Sequence, residues 1–167
     1  MELKKVVWAA VLAALSIVID VVFKLIIPSN DMQTPYYAIP IIVSAIFLGP
    51  KYSIVIAFLG DLVSILLVGG VPLPLFSLSS TMWGVIPGLF LYKNKKFTKL
   101  LLVVLLTHIV VTATNTYAIY IHFANKNFAT ILVSLPLRIG MVIPNTLIIS
   151  LLVEGALEPI RLRKTQY

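Results

Sequence analysis

Long apolar runs, broken by short polar or Gly- and Pro-rich connections, make up most of this chain. A helix needs about 20 predominantly apolar residues to cross the ~30 Å hydrocarbon layer of a bilayer. On that template the pattern predicts six spans: Val6–Ile27, Tyr36–Leu48, Tyr52–Val68, Leu75–Tyr92, Leu100–Ile121 and Ala129–Leu157. Pro28 closes the first, before a polar turn at 28–35. The second is short for a span, which implies tilt or a partly re-entrant course, and Gly49 and Pro50 end it. The connection 69–74 (GGVPLP) is too rich in Gly and Pro for regular helix. Gly84, Pro87 and Gly88 are expected to loosen the inner half of the fourth span. Residues 93–99 form a basic turn, 122–128 a polar turn, and the sequence RLRKTQY a basic tail.

Composition agrees with a membrane protein. The chain is 60% hydrophobic and 11% charged, against about 25% charged in soluble domains; its mean hydropathy is +1.05. The expected fold is all-α: one six-helix transmembrane domain over 1–167, with no room for a soluble catalytic or nucleotide-binding domain. There is no cysteine, which excludes disulfides, thiolate catalysis and Cys-ligated metal sites. Lys4 and Lys5 before an apolar run look like a signal peptide, but no A-x-A-like cleavage site follows, so the run reads as a retained span.

The net charge of +7 points to orientation, not to nucleic acid. Ten of the 13 Lys and Arg residues fall on one side of the predicted spans: Lys4, Lys5, Lys51, Lys93, Lys95, Lys96, Lys99, Arg161, Arg163 and Lys164. The positive-inside rule makes that side cytoplasmic and places both termini there. The loops 28–35, 69–74 and 122–128 then face outward, with Lys24 and Lys126 near them.

Against this background the charged and polar residues within spans stand out. Arg138 lies inside the sixth span, within SLPLRIGMVIPNT. A charge there costs about 2.5–3.5 kcal/mol on insertion scales, and arginine does not deprotonate in proteins. An acidic side chain or an anionic ligand must meet it. Asp61, midway along the third span, is the candidate partner for a structural ion pair. Proton coupling would usually require a chain of acids, and Asp61 is the only acid mid-span. Asp20 and Lys24 are spaced i, i+4, acid before base; they either neutralise each other near the interface or take part in ligand binding. His108, Thr112 and Asn115 share a face of the fifth span, where such groups bridge helices or bind ligand. No acid or second His at ligand spacing accompanies His108, so no metal site is expected. Tyr36, Tyr37, Phe76, Trp83, Tyr117, Tyr120, Phe123 and Phe128 cluster toward the outer ends, as an interfacial belt or as a pocket lining for a flat ring. Pro144 either breaks the sixth helix at a pocket floor or kinks it for packing.

The first span holds WAAVLAA, in which Ala9 and Ala13, and Ala10 and Ala14, form two A-x-x-x-A pairs. Such spacing permits close approach of another helix, within the bundle or from another membrane subunit.

With this doubled alanine motif, six spans and both ends inside, the chain resembles the S components of energy-coupling-factor (ECF) vitamin transporters over essentially its whole length. FLGPKYSIVIAFLGDLVSILL is similar to that family's Gly-rich turn and Asp-bearing span, and PLFSLSSTMWGVIPGLFLYK to its fourth span. LPLRIGMVIPNTLI resembles the sixth span of the folate-type subgroup. The resemblance implies a non-enzymatic capture subunit of an ABC importer in a bacterial cell membrane, with no cofactor. It implies a vitamin bound from outside, docking of Ala9, Ala10, Ala13 and Ala14 on a scaffold membrane subunit, two cytosolic ATPases beyond it, and toppling of the subunit in the membrane. For a folate ligand, Arg138 suits a carboxylate or a pterin edge and Asn115 the donor/acceptor edge of the ring. Tyr36, Tyr37, Phe76, Trp83, Tyr117 and His108 are the further candidate binding residues. Pantothenate is the alternative anion, and Arg138 disfavours cationic thiamine. An autonomous carrier would usually show paired repeats with broken helices, a hydrolase a nucleophile with its base, and an ATPase a G-x-x-x-x-G-K-[ST] loop; none is evident here.

Overall fold

The computed structural model describes residues 2–27, 34–94, 96–124 and 127–164. They form six helices: α1 Glu2–Ile26, α2 Ala38–Phe47, α3 Pro50–Leu67, α4 Pro74–Leu91, α5 Phe97–His122 and α6 Phe128–Lys164. Five are long and apolar enough to cross a membrane, and α2 is not. Side chains such as Val18, Leu66, Ile143 and Leu151 are exposed around the bundle. In water that would be a liability; a bilayer makes such faces the expected outer surface. The anticipated stop at Pro28, Lys95, Lys126 and the last residues of the basic tail lie outside the described residues. The start of that tail is helical, because α6 continues through it to Lys164.

α1 and α3 run parallel and in register, with Ser16 beside Gly60 and the Ser64 hydroxyl donating to Asp20. The chain returns between them through α2. The Ser16 hydroxyl donates to the Tyr37 carbonyl at 2.9 Å, so α2 begins beside the middle of α1. It ends where the Ile46 carbonyl accepts from the Lys93 amide at 3.1 Å. That end of the bundle also holds the starts of α1, α3 and α5, and we call it the basic end for its lysines. Ten residues of α2 rise only about 15 Å. α2 therefore fills half the depth of the bundle. Ala38, Ile41, Ile42, Ala45 and Ile46 are completely buried there, among Trp83, Val104, Ile149 and Val153. Among the described residues, no helix continues the line of α2 through the other half.

Two expectations about helix breaks are corrected. α4 is continuous through Gly84, Pro87 and Gly88. The two glycines serve close packing instead. A Cβ on Gly84 would stand 2.3 Å from the Ser53 carbonyl oxygen, and one on Gly88 2.8 Å from Pro50 Cα. The Ser53 hydroxyl donates to the Gly84 carbonyl at 2.8 Å, which joins α3 to α4 at their closest approach. α6 likewise runs unbroken past Pro144. Pro144 is on the exposed side of that helix, away from the buried face carrying Arg138, Val142, Asn145 and Ile149, so it forms no pocket floor.

Gly84→Ala should destabilise the fold by about 1–3 kcal/mol through overpacking against α3 backbone. Gly140→Ala, where an added Cβ meets nothing within 4 Å, should not. Thermal unfolding of the two variants in detergent checks the contrast.

Candidate functional site

The space above α2 is a cavity of about 450 Å³. Tyr37, at the N-terminus of α2, forms part of its base. Its walls come from α1 (Asp20, Phe23, Lys24), α3 (Asp61, Ile65), α4 (Phe76, Ser77, Ser80), α5 (Val111, Asn115, Ile119) and α6 (Arg138). Thr34 and Pro35, Val71 to Leu73, and Phe123 line the part nearest the end opposite the lysines. The size falls in the ~300–1,000 Å³ range of small-molecule sites.

Each carboxylate in the wall is met by donors. Asp61 accepts from Ser77 at 2.8 Å and from Ser80 at 2.9 Å, one hydroxyl on each oxygen. Ser77 and Ser80 are three apart on α4, so one face of one helix presents both hydroxyls. The Tyr37 hydroxyl donates to Ser80 at 3.4 Å, which ties the base of the cavity to this wall. Asp20 receives Lys24 Nζ at 2.7 Å and the Ser64 hydroxyl. Lys24 also donates to Ser64 at 3.0 Å. Buried charges persist only when paired and hydrogen-bonded, and α1, α3 and α4 supply those partners to one another. Arg138 is 1% exposed on α6. Asn115 lines the cavity, and its side-chain oxygen is buried and makes no hydrogen bond.

Of the residues expected to bind ligand, the structure brings Arg138, Asn115, Tyr37 and Phe76 together in this cavity. Asp61 joins them, in the same cavity as Arg138 and held by its two serines. Tyr36, Trp83, His108 and Tyr117 do not line it. Tyr36 packs edge-on against Phe23 and donates to Asn145 on α6 at 3.2 Å. Trp83 is fully buried against the ring of His108, at 5.5 Å between centroids, and His108 Nδ1 lies 3.3 Å from the Thr146 hydroxyl. These pairs belong to the packed interior. Tyr117 is 56% exposed and lines a separate apolar groove with Tyr120 and Phe128. Residues that the sequence did not single out also line the cavity: Phe23, Ser77 and Ser80. The i, i+3 serines of PLFSLSS, one helix away from a mid-span acid, were the available signal. The alanine face divides as well. Ala10 and Ala14 are exposed on α1, whereas Ala9 and Ala13 are half-buried and pack against the core.

A protein family described as "ECF transporter, substrate-specific component" matches residues 4–158. The chain belongs to this family. It is thus the substrate-binding membrane component of a transporter and not a catalytic subunit. Its fold is similar to that in a crystal structure of FolT bound with folic acid: TM-score 0.70, 20% identity, 88% of this chain and 94% of that chain covered. No curated protein sequence matches the chain.

Replacing both Ser77 and Ser80 by Ala leaves the Asp61 carboxylate without its donors. Asp61 is half-buried, so the loss falls below the ~1–3 kcal/mol per partner of a fully buried acceptor, and the double variant should still unfold at a lower temperature. Ser150→Ala, at a buried hydroxyl with no hydrogen-bond partner, should not.

Proposed function

We propose that this S component captures folate, or a close folate-like vitamin, and delivers it as part of an importer. The observation that carries the reading is the cavity above α2, in which a buried arginine, an amide with an unused acceptor and aromatic rings converge. Folate has a flat pterin with N–H donors along one edge, a benzoate, and a glutamate tail with two carboxylates. The Asn115 oxygen suits a pterin N–H. The Arg138 guanidinium suits a carboxylate or the pterin acceptor edge. Phe76, with Phe23 and Phe123, offers apolar and edge-on contacts to the ring system. Tyr37 closes the floor. Similarity to a protein bound with folic acid supports the same ligand class.

In this reading Asp61 and Arg138 are electrostatic partners across the empty cavity, and an anionic ligand shares the arginine when bound. The chain works as one transmembrane binding domain in a bacterial cell membrane. The basic end faces the cytoplasm, as the positive-inside rule requires, and the cavity opens outward. α1 docks on a scaffold membrane subunit through Ala10 and Ala14, with Ala9 and Ala13 keeping the helix close to its own bundle. The scaffold couples to two cytosolic ATPases, and toppling of the docked subunit turns the cavity inward.

Folic acid titrated into the purified chain without ATP should bind tightly and stoichiometrically. Arg138→Leu and Asn115→Leu should each weaken binding about tenfold or more, since a hydrogen bond to a charged group contributes about 1.5–3 kcal/mol. Tyr117→Ala should bind as the parent does. Absence of folate binding by the unaltered chain would overturn the reading. In cells supplying the scaffold and ATPases, Ala10→Arg should abolish uptake while binding by the purified variant is unchanged.

A further inference from the structure

We infer that Lys24 is a second anion-binding residue of this cavity, holding the carboxylate tail of the ligand from a different helix than Arg138. The inference rests on the proposed capture of a folate-like vitamin and assigns the end of the ligand that the ring contacts leave open.

Lys24 does not snorkel away from the bundle. Its ammonium is held at 2.7 Å by Asp20 and 3.0 Å by Ser64, and the side chain lines the cavity while remaining 32% exposed. An ammonium carries three N–H donors, and two are used, so one remains for a ligand. Neutralising Asp20 takes one of these N–H groups and the contact to Ser64 a second. Asp20 already receives the Ser64 hydroxyl as well, and Asp61 is answered by two serines. The carboxylates of the wall are therefore covered by donors, and what Lys24 still offers to an incoming group is a charged N–H.

Placement adds a second argument. Lys24 sits in the last turn of α1, beside the cavity-lining Leu25 and Ile27. That position suits the polar end of a ligand whose ring lies deeper. α1 and α6 do not pack on one another among the described residues, yet both contribute to the cavity. A ligand held by Lys24 and Arg138 would connect two helices that do not pack on one another directly.

The test compares folic acid with pteroic acid, which keeps the pterin and benzoate but lacks the glutamate. Lys24→Met alone leaves Asp20 buried without its cation, so Asp20→Asn/Lys24→Met is measured beside it, with Lys24→Arg as the conservative exchange. Folic acid affinity should fall about 10- to 100-fold in both Met variants, while pteroic acid affinity changes less than about threefold. Lys24→Arg should retain most of the folic acid affinity. Unchanged folic acid binding, or equal losses for both ligands, would overturn the assignment of Lys24 and leave the capture reading intact. Failure of the unaltered chain to bind either ligand would remove the capture reading and this inference with it.

Discussion

Ten residues of helix cannot cross a bilayer, and the shortness of α2 is the constraint on which the rest of this structure depends. The chain must return from the end of α1 to the basic end before α3 can begin. Among the described residues, it does so with helix only over the half nearest the basic end. There most of α2 is buried, and Ile41, Ile42 and Ile46 plug the bundle against Trp83, Val104 and Ile149. Above Tyr37, among the described residues, the surrounding helices have no central helix to pack on. A full-length α2 would give a solid six-helix bundle with no site; the half-length one leaves a cavity of about 450 Å³ closed from below.

The cavity can be polar because its walls solvate one another. Unpaired charges at this depth are costly, and serines on neighbouring helices meet the acids here. Ser77 and Ser80 hold Asp61, and Ser64 joins Asp20 to Lys24. These bonds fasten α1, α3 and α4 around the site, while Gly84 and Gly88 bring α3 and α4 close enough to carry the network. The same contacts hold the fold and set the charges. Among the wall groups, the Asn115 oxygen makes no hydrogen bond and Lys24 uses two of its three N–H donors.

Much of this was legible in the sequence, and the limits have physical causes. Helix number, the shortness of the second helix and the clustering of lysines at one end follow from hydropathy and charge, because the bilayer imposes length and sign directly. Arg138 and Asn115 were legible because a polar group inside a span needs a reason. Aromatic residues were not sortable: Tyr36, Trp83 and Tyr117 satisfy the same criteria as Tyr37 and Phe76, and only the rotation of each helix decides which face the cavity, the core or the lipid. Pro87 reads as a loosening of its helix and Pro144 as either a break or a kink, because proline removes a helix hydrogen bond, yet both helices continue past them. The hydroxyl partners of Asp61 and Asp20 depend on contacts between helices, to which a linear pattern is blind.

The chain has no cysteine, which makes single-cysteine labelling the most direct test of the central claim that the space above α2 is an outward-facing ligand site. Ser77→Cys places a thiol in the cavity wall. A membrane-impermeant maleimide added outside intact cells should label it, and folic acid should protect it from labelling. Labelling only after the cytoplasmic face is exposed, or outside labelling that folic acid leaves unchanged, would contradict the account.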